Sequence, residues 1–219
     1  MQLDTRLPPG RPTASSVVDE ATAENERLTA STATLLLVLL AVEGVTILSI
    51  RPLLPIHIVV GVLLIPPVAL KLASTGYRFL RYYGGSLAYV AKGPPHILMR
   101  LLAPLLVLST LTVLGSGVAL LVLGPGRQSF VLGLHKTSFI FWLGVTSVHV
   151  LVYVRRLPRL LLSGGRQAGA RIGLVAGSLL AGAALAAATY SLASPWIHRA
   201  HEHERERGAG SLNVRPPGR

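Results

Sequence analysis

Residues 134–154 read LHKTSFIFWLGVTSVHVLVYV and predict a membrane-spanning helix that carries two histidines. The segment is 21 residues long, and its one charged side chain, Lys136, lies near its edge. About 20 apolar residues in a helix cross the ~30 Å hydrocarbon layer of a bilayer. His135 and His149 are 14 residues apart, which places them about 21 Å apart along the helix and about 40° from the same face. One face of this helix therefore presents histidines at two membrane depths.

The rest of the chain contains four further apolar segments of spanning length. The composition agrees with a membrane protein, since 51% of the 219 residues are hydrophobic and only 14% are charged. Glycine and proline pairs separate the segments, as expected for loops between helices. The sequence therefore predicts an all-α membrane protein with five transmembrane helices, at about residues 32–50, 56–75, 101–123, 134–154 and 172–193.

The polar segments lie at the two ends of the chain. Residues 1–31 are rich in Pro, Ser and Thr and have mixed charge, so we expect a disordered tail. Residues 32–193 form the transmembrane domain, and residues 194–219 form a polar C-terminal tail. The tail contains His198, His201 and His203, for which solvation is a better explanation than metal binding.

The charge distribution predicts the partners and the orientation. A net charge of +12 would suggest nucleic acid for a soluble chain, but here the basic residues flank apolar segments, so we expect membrane lipid as the partner and no nucleic acid. By the positive-inside rule, the N-terminus lies in the cytoplasm and the C-terminal tail outside, in the plasma (inner) membrane. Ten basic residues lie near the predicted inner loops and three near the outer loops: Lys71, Arg78, Arg81, Lys92, Arg100, Arg155, Arg156, Arg159, Arg166 and Arg171, against Arg51, Arg127 and Lys136.

Missing residue types and motifs exclude several kinds of chemistry. The chain has no cysteine, which excludes disulfides, thiolate metal sites and covalent haem attachment. No phosphate-binding loop, dinucleotide fingerprint or nucleophile elbow is present. Any metal must therefore be held by histidine or carboxylate.

Four histidines lie within or at the ends of the predicted spans, where ionisable residues are uncommon unless they have a function. An up-and-down topology places His57 at the same level as His135, near the outer side. It places His96 at the level of His149, near the inner side. Two histidine pairs at two depths match what two bis-histidine haems need, with one axial nitrogen from each of two facing helices.

Several neighbouring residues fit haem binding. Trp142 lies seven residues from both His135 and His149, on the same face, where its ring could fill the space between two macrocycles. Gly61 follows His57 by one turn and leaves room for a flat ring. Lys71 stands 14 residues after His57, where a strictly symmetric arrangement would place another histidine.

Other interpretations of these residues stay open. Each histidine at a helix end, His96 above all, could be an ordinary interfacial residue. Trp142 could be core packing. Glu43, the one acidic residue inside a predicted span, could accept a hydrogen bond from a ligand histidine such as His57 or His135, contact a quinone or proton, or be a neutral acid bonded to Thr46 or to a backbone carbonyl.

The His-x13-His spacing of residues 135 and 149 resembles the membrane b-type cytochromes: cytochrome b, cytochrome b561 and the ferric-reductase-like four-helix cores. Residues 57–83, followed by Gly93-Pro94-Pro95, also look like a group of uncharacterised bacterial cytochrome b-like proteins. The resemblance covers roughly residues 32–154 and implies a haem-binding four-helix core with the fifth helix outside it. It also implies electron transfer between haems, linked to a quinone or to a partner oxidoreductase subunit.

The resulting prediction is a transmembrane electron-transfer protein with one or two non-covalent haem b groups, the cytochrome b subunit of an oxidoreductase. Cofactor-binding residues are His57, His135, His149, His96, Trp142 and Gly61, and the four histidines are the ligands of the haem iron. The competing hypothesis is a haem-free small transporter or a membrane anchor or assembly subunit.

Overall fold

The computed structural model of the chain describes residues 14–91, 97–126, 129–154 and 167–212. Within these ranges every regular element is a helix. The seven helices are α1 Ala14–Leu48, α2 Ile50–Leu63, α3 Ile65–Tyr83, α4 Leu87–Ala91, α5 Ile97–Leu123, α6 Ser129–Tyr153 and α7 Ala168–Leu212.

Within the described ranges, five helical segments are long and apolar enough to cross a membrane, as the sequence predicts. Large apolar side chains project outward from them: Leu180 on α7 is 70% exposed and Leu151 on α6 is 71% exposed. Such surfaces are unfavourable in water and suit contact with lipid. The chain is therefore a multi-pass helical membrane protein, with spans Thr22–Leu48, Ile50–Tyr83, Arg100–Leu123, Phe130–Tyr153 and Ala168–Ala200.

The first helix begins earlier than expected. Residues 14–31, predicted as part of a disordered tail, are helical and continuous with the first span. A pair three residues apart, Arg27 Nη1 and Glu24 Oε1 at 2.6 Å, supports this extension. Asn25 Nδ2 donates to the Ser74 carbonyl oxygen of α3 at 3.2 Å, so contacts with another helix fix it further.

The hydrogen-bond pattern of the second span is interrupted between α2 and α3. Leu64 alone separates α2 from α3, and Pro66 and Pro67 follow within the first turn of α3. Proline lacks a backbone N–H and is tolerated in a first turn, where no intrahelical donor is needed. The two prolines remove backbone donors at this point, while Leu64 keeps helical angles (φ −66°, ψ −24°), so the interruption lies in the hydrogen bonding and the span continues.

Helix α7 packs closely against this point. A Cβ placed on Gly182 would overlap the Leu63 carbonyl group, with the carbonyl carbon at 3.1 Å. The earlier glycines of α7, spaced four residues apart, do not make such a contact, because a Cβ on Gly169, Gly173 or Gly177 would meet nothing within 4 Å. The close approach lies instead at Gly182.

The helices form two groups. Helices α1, α2, α3 and α7 pack on one another, and α5 and α6 form a hairpin. The end of α5 joins the first group through a core of Val62, Leu121, Ala186 and Ala193. Helix α6 packs mainly on α5, and no residue from Phe130 to Tyr153 is buried. A side of α6 therefore faces α2 without close helix packing.

Candidate functional site

The structure brings His57 of α2 and His135 of α6 together. Their ring centroids are 6.4 Å apart, and the ring planes are inclined by 78°. The two residues are 78 positions apart in the chain and belong to different helix groups. This is the pair that the up-and-down topology predicts at one membrane level. We call this side of the bundle the His57 end.

Two groups on α1 hold the His57 ring. Its Nδ1 lies 2.9 Å from Glu43 Oε1 and 3.1 Å from Thr46 Oγ1. The Thr46 hydroxyl donates its single proton to the Glu43 backbone carbonyl at 2.6 Å. Both contacts of His57 are therefore hydrogen bonds when Nδ1 carries a proton and donates it to Glu43 Oε1 and Thr46 Oγ1. This tautomer is inferred from the hydrogen-bond network. In a neutral ring Nε2 then has a free lone pair.

His135 is held in a corresponding way by α5. Its Nδ1 lies 3.1 Å from the Val113 carbonyl oxygen and 3.0 Å from Ser116 Oγ. A carbonyl oxygen only accepts, and the Ser116 hydroxyl donates to the Thr112 carbonyl at 2.6 Å. Nδ1 of His135 is thus also the protonated nitrogen, which leaves Nε2 as the nitrogen available to a ligand.

Two glycines make room for these groups. A Cβ on Gly117 of α5 would lie 3.3 Å from His135 Cε1, tighter than an ordinary contact. A Cβ on Gly61 of α2 would lie 3.5 Å from Glu43 Oε1. Gly61, predicted to make room for a flat cofactor ring, therefore stands beside the carboxylate that supports His57. A Cβ placed on Gly115 would meet nothing within 4 Å.

Glu43 is the partly buried acid of the site, with 13% of its side chain exposed. Its Oε2 is buried and has no hydrogen-bond partner among the described residues. The interpretation as a neutral acid bonded to Thr46 does not match the contacts, because Thr46 donates to the backbone carbonyl of Glu43. The carboxylate contacts His57 instead.

The His57 end fits an axial bis-imidazole site. Two imidazoles that share one metal ion, with metal–nitrogen bonds of about 2 Å, have ring centres about 6 Å apart. The observed 6.4 Å agrees with this spacing. No cluster of three or more His, Asp or Glu able to hold a metal ion is found in the described ranges. A haem needs only two protein ligands, because the porphyrin supplies the others.

The opposite side of the bundle, which we call the Lys71 end, contains His149. Its ring is half-buried and lies 4.9 Å from that of Tyr153, one turn later on α6. Lys71 of α3 interacts electrostatically with His149 and donates from Nζ to the Thr29 carbonyl at 2.8 Å. His96, predicted to pair with His149, lies outside the described residues.

Trp142 lies between the two ends of α6. Its Nε1 donates to Thr110 Oγ1 of α5 at 2.9 Å, and its ring centroid is 6.1 Å from that of Phe139. This hydrogen bond links α6 to α5, as expected if Trp142 serves in packing. The Trp142 ring is only half-buried, so part of it stays exposed at the surface of the described bundle.

Sequence reasoning placed Thr46 beside Glu43 but not against His57, and it missed Ser116 altogether. Thr46 is one helical turn after Glu43 and therefore on the same face, a spacing that could have identified it. Ser116 precedes Gly117, but only the packing of α5 on α6 shows which histidine it meets. The C-terminal His198 is exposed on α7, and the side chains of His201 and His203 lie outside what the structure describes.

Comparisons with known proteins give no relative. The chain matches no protein-family model, no curated protein and no solved structure. The structure defines the class, a multi-pass helical membrane protein, in which the rings of His57 and His135 meet at one end of the bundle.

Proposed function

We propose that this protein is a transmembrane b-type cytochrome in which His57 and His135 would hold the iron of a non-covalent haem b. The observation that carries the proposal is the pair of imidazole rings, whose centroids are 6.4 Å apart although the two residues belong to different helix groups. In each ring Nδ1 already makes hydrogen bonds to other groups of the protein. Metal-ligating histidines usually donate their second ring N–H to a carboxylate, carbonyl or hydroxyl in this way.

The residues around the ligands fit the proposed role. The two imidazoles would hold the iron, and haem would supply a one-electron redox centre there. Glu43 and Thr46 fix the tautomer and orientation of His57, while Val113 and Ser116 do so for His135. Helix α6 makes few contacts with α2, so the two rings meet without close packing of their helices.

We further propose that the electrons come from or go to a quinone or a partner oxidoreductase subunit, because the sequence contains no flavin or nicotinamide motif. A second haem would use His149 at the Lys71 end, with His96 as its partner. His149 lacks a second described histidine, so the support for this site is weaker than for the His57 end.

A haem assay on the purified full chain tests the proposal. Protein made with haem available is measured by its reduced-minus-oxidised spectrum and by pyridine haemochrome content. We expect a low-spin b-type spectrum, and we expect His57→Ala and His135→Ala each to remove that haem. His198→Ala, an exposed histidine on α7, is the matched control and should keep the parent spectrum.

The same experiment counts the haems. Two haems per chain, falling to one in His149→Ala, would support the second site. One haem, unchanged in His149→Ala, would restrict the function to the His57 end. Protein without haem, or a full haem complement in His135→Ala, would overturn the proposal.

A haem-free anchor or assembly subunit is the second candidate. The observation that favours it is that Glu43, Thr46 and His57 already bond to one another, as a polar network inside a bundle does. In that case His57→Ala would lower the thermal stability of the protein, and the purified chain would contain no haem.

A further inference from the structure

The Lys71 end repeats the residue spacing of the His57 end. His135 follows His57 by 78 positions in the chain, and His149 follows Lys71 by the same 78 positions. The second and fourth spans of an alternating bundle run in the same direction, so an equal offset brings both pairs to matching levels. The structure agrees with this register, because Lys71 of α3 interacts electrostatically with His149 of α6. The two pairs are separated by 14 residues on each span, about 21 Å along the helix.

The register holds across the interruption between α2 and α3. Leu64 keeps helical angles, and its N–H donates to the Val60 carbonyl oxygen at 2.9 Å. The Val68 N–H in turn donates to the Leu64 carbonyl oxygen at 3.0 Å, so helical hydrogen bonds lie on both sides of the two prolines. His57 and Lys71 therefore occupy one continuous span, about 40° from the same face.

Helix α1 supplies a hydrogen-bond acceptor at both levels. Glu43 Oε1 lies 2.9 Å from Nδ1 of His57. The carbonyl oxygen of Thr29, 14 residues before Glu43 on α1, accepts from Nζ of Lys71 at 2.8 Å. Acceptors of this kind orient the ligand atoms of metal sites. Lys71 is thus held by α1 in the same way as His57, one level away.

Lys71 and His149 both have nitrogen atoms that the described residues leave available. Within those residues, Nζ of Lys71 has one hydrogen-bond partner, the Thr29 carbonyl, and no carboxylate at ion-pair distance. The His149 ring contacts the Tyr153 ring and makes no hydrogen bond to the described chain. An unpaired ammonium inside a membrane bundle is costly. An amine that binds a metal through its lone pair carries no charge of its own, which removes this cost.

Thr146 indicates that this end receives a further polar group. Its Oγ1 is buried and has no hydrogen-bond partner among the described residues. It stands three residues before His149 and therefore on the same face of α6. Other helical threonines of the protein bond to a carbonyl one turn earlier, as Thr110 does to Leu106 at 2.6 Å. Buried hydroxyls in native proteins rarely stay without a partner, so the orphaned Thr146 fits a site for a bound group.

We propose that Lys71 is the second axial ligand at this end, where its amine and the imidazole of His149 would hold the iron of a second haem. The inference rests on the proposed cytochrome function. It replaces His96, the partner that the sequence pattern gives to His149, because the register of the described helices leads to Lys71 instead. Lysine departs from the symmetric four-histidine pattern but keeps a nitrogen ligand at the same position.

Haem content and the spectra of the oxidised protein test this assignment. The full chain is purified from cells supplied with haem, and the pyridine haemochrome assay gives the haem per chain. Electron paramagnetic resonance and the near-infrared absorption of the ferric protein distinguish an amine from a second imidazole on the iron. We expect two haems, one with two imidazoles and one with an imidazole and an amine.

Variants at Lys71 separate ligation from folding. Lys71→Leu should lower the haem content from two to one per chain and remove the imidazole–amine signal. Lys71→His restores a nitrogen ligand, so it should return the content to two haems, both with bis-imidazole spectra. Lys136→Leu removes an exposed lysine of α6 and is the matched control, and His96→Ala tests the replaced ligand. Both should keep two haems and the spectra of the parent.

The inference is overturned if the parent has two haems with bis-imidazole spectra only, or if Lys71→Leu keeps both haems. Loss of one haem in His96→Ala would also overturn it. The spectra of the parent require no substitution, so they decide the question even if Lys71→Leu does not fold. A parent with one haem, lost in His135→Ala, would overturn this inference and leave the cytochrome proposal standing, whereas a chain without haem would overturn both.

Discussion

Replacing Glu43 with glutamine should raise the midpoint potential of the proposed haem at the His57 end. Glutamine keeps the size of the side chain and removes its negative charge. An ionised carboxylate beside a ligand stabilises the ferric state, which carries one more positive charge than the ferrous state. Without that charge, reduction becomes more favourable.

The structure gives the size of the effect. The 2.9 Å contact with His57, the width of the imidazole and one iron–nitrogen bond put the carboxylate about 7 Å from the iron. A unit charge at about 7 Å contributes about 2 kcal/mol at an effective dielectric constant of about 20. For a one-electron couple this energy corresponds to about 100 mV.

Redox titration of the purified holoprotein, followed by the haem absorption bands, measures this shift. Glu24→Gln is the control, because it makes the same substitution on the same helix, 19 residues or about 28 Å away, and should leave the potential unchanged. An unchanged or lower potential in Glu43→Gln, in protein that keeps its haem, would refute an ionised Glu43 beside a ligand of the iron.

Three further outcomes are expected. Gly117→Ala should reduce haem retention because its Cβ would lie 3.3 Å from His135 Cε1, whereas Gly115→Ala, with nothing within 4 Å, should retain the parent haem content in the pyridine haemochrome assay. Gly182→Ala should lower the free energy of unfolding by about 1–3 kcal/mol, because the added Cβ would overlap the Leu63 carbonyl group. Thermal unfolding in detergent measures this loss, and an equal loss in Gly177→Ala would contradict the overlap as its cause. The natural chain has no cysteine, so single introduced cysteines can report the orientation of the protein in the membrane. We expect Arg51→Cys to react with a membrane-impermeant maleimide in intact cells and Leu87→Cys to react only after permeabilisation. The reverse pattern would show that the predicted topology is inverted.

Composition and length were sufficient to predict the five spans, since a helix of about 20 apolar residues has few alternatives to crossing a bilayer. The same reasoning failed for residues 14–31. Their composition suggests disorder, but bonds such as Asn25 to Ser74 stabilise the helix through partners distant in sequence. Pro66 and Pro67 indicate in the sequence where the hydrogen bonding of the second span is interrupted. The close packing of Gly182 against Leu63 could not be predicted, because it depends on the rotation of α7 about its axis.

The candidate site was predictable in part. Alternating direction of the spans puts His57 and His135 at one level, and the structure has their rings there. The support from Val113 and Ser116 could not be read from the sequence, since serine and a backbone carbonyl occur on every span and only helix packing selects among them. The haem itself stays a prediction from the pattern.

The division of the bundle into two helix groups has a consequence for how the protein matures. Helix α6 reaches the rest of the molecule mainly through α5, and the proposed ligands lie 78 residues apart on opposite sides of that division. In the holoprotein, iron coordination would act as a cross-link that closes this long loop and restricts the motion of the hairpin. A chain that has not received haem would keep a looser hairpin and present it to membrane proteases, so haem supply would set how much of the protein accumulates.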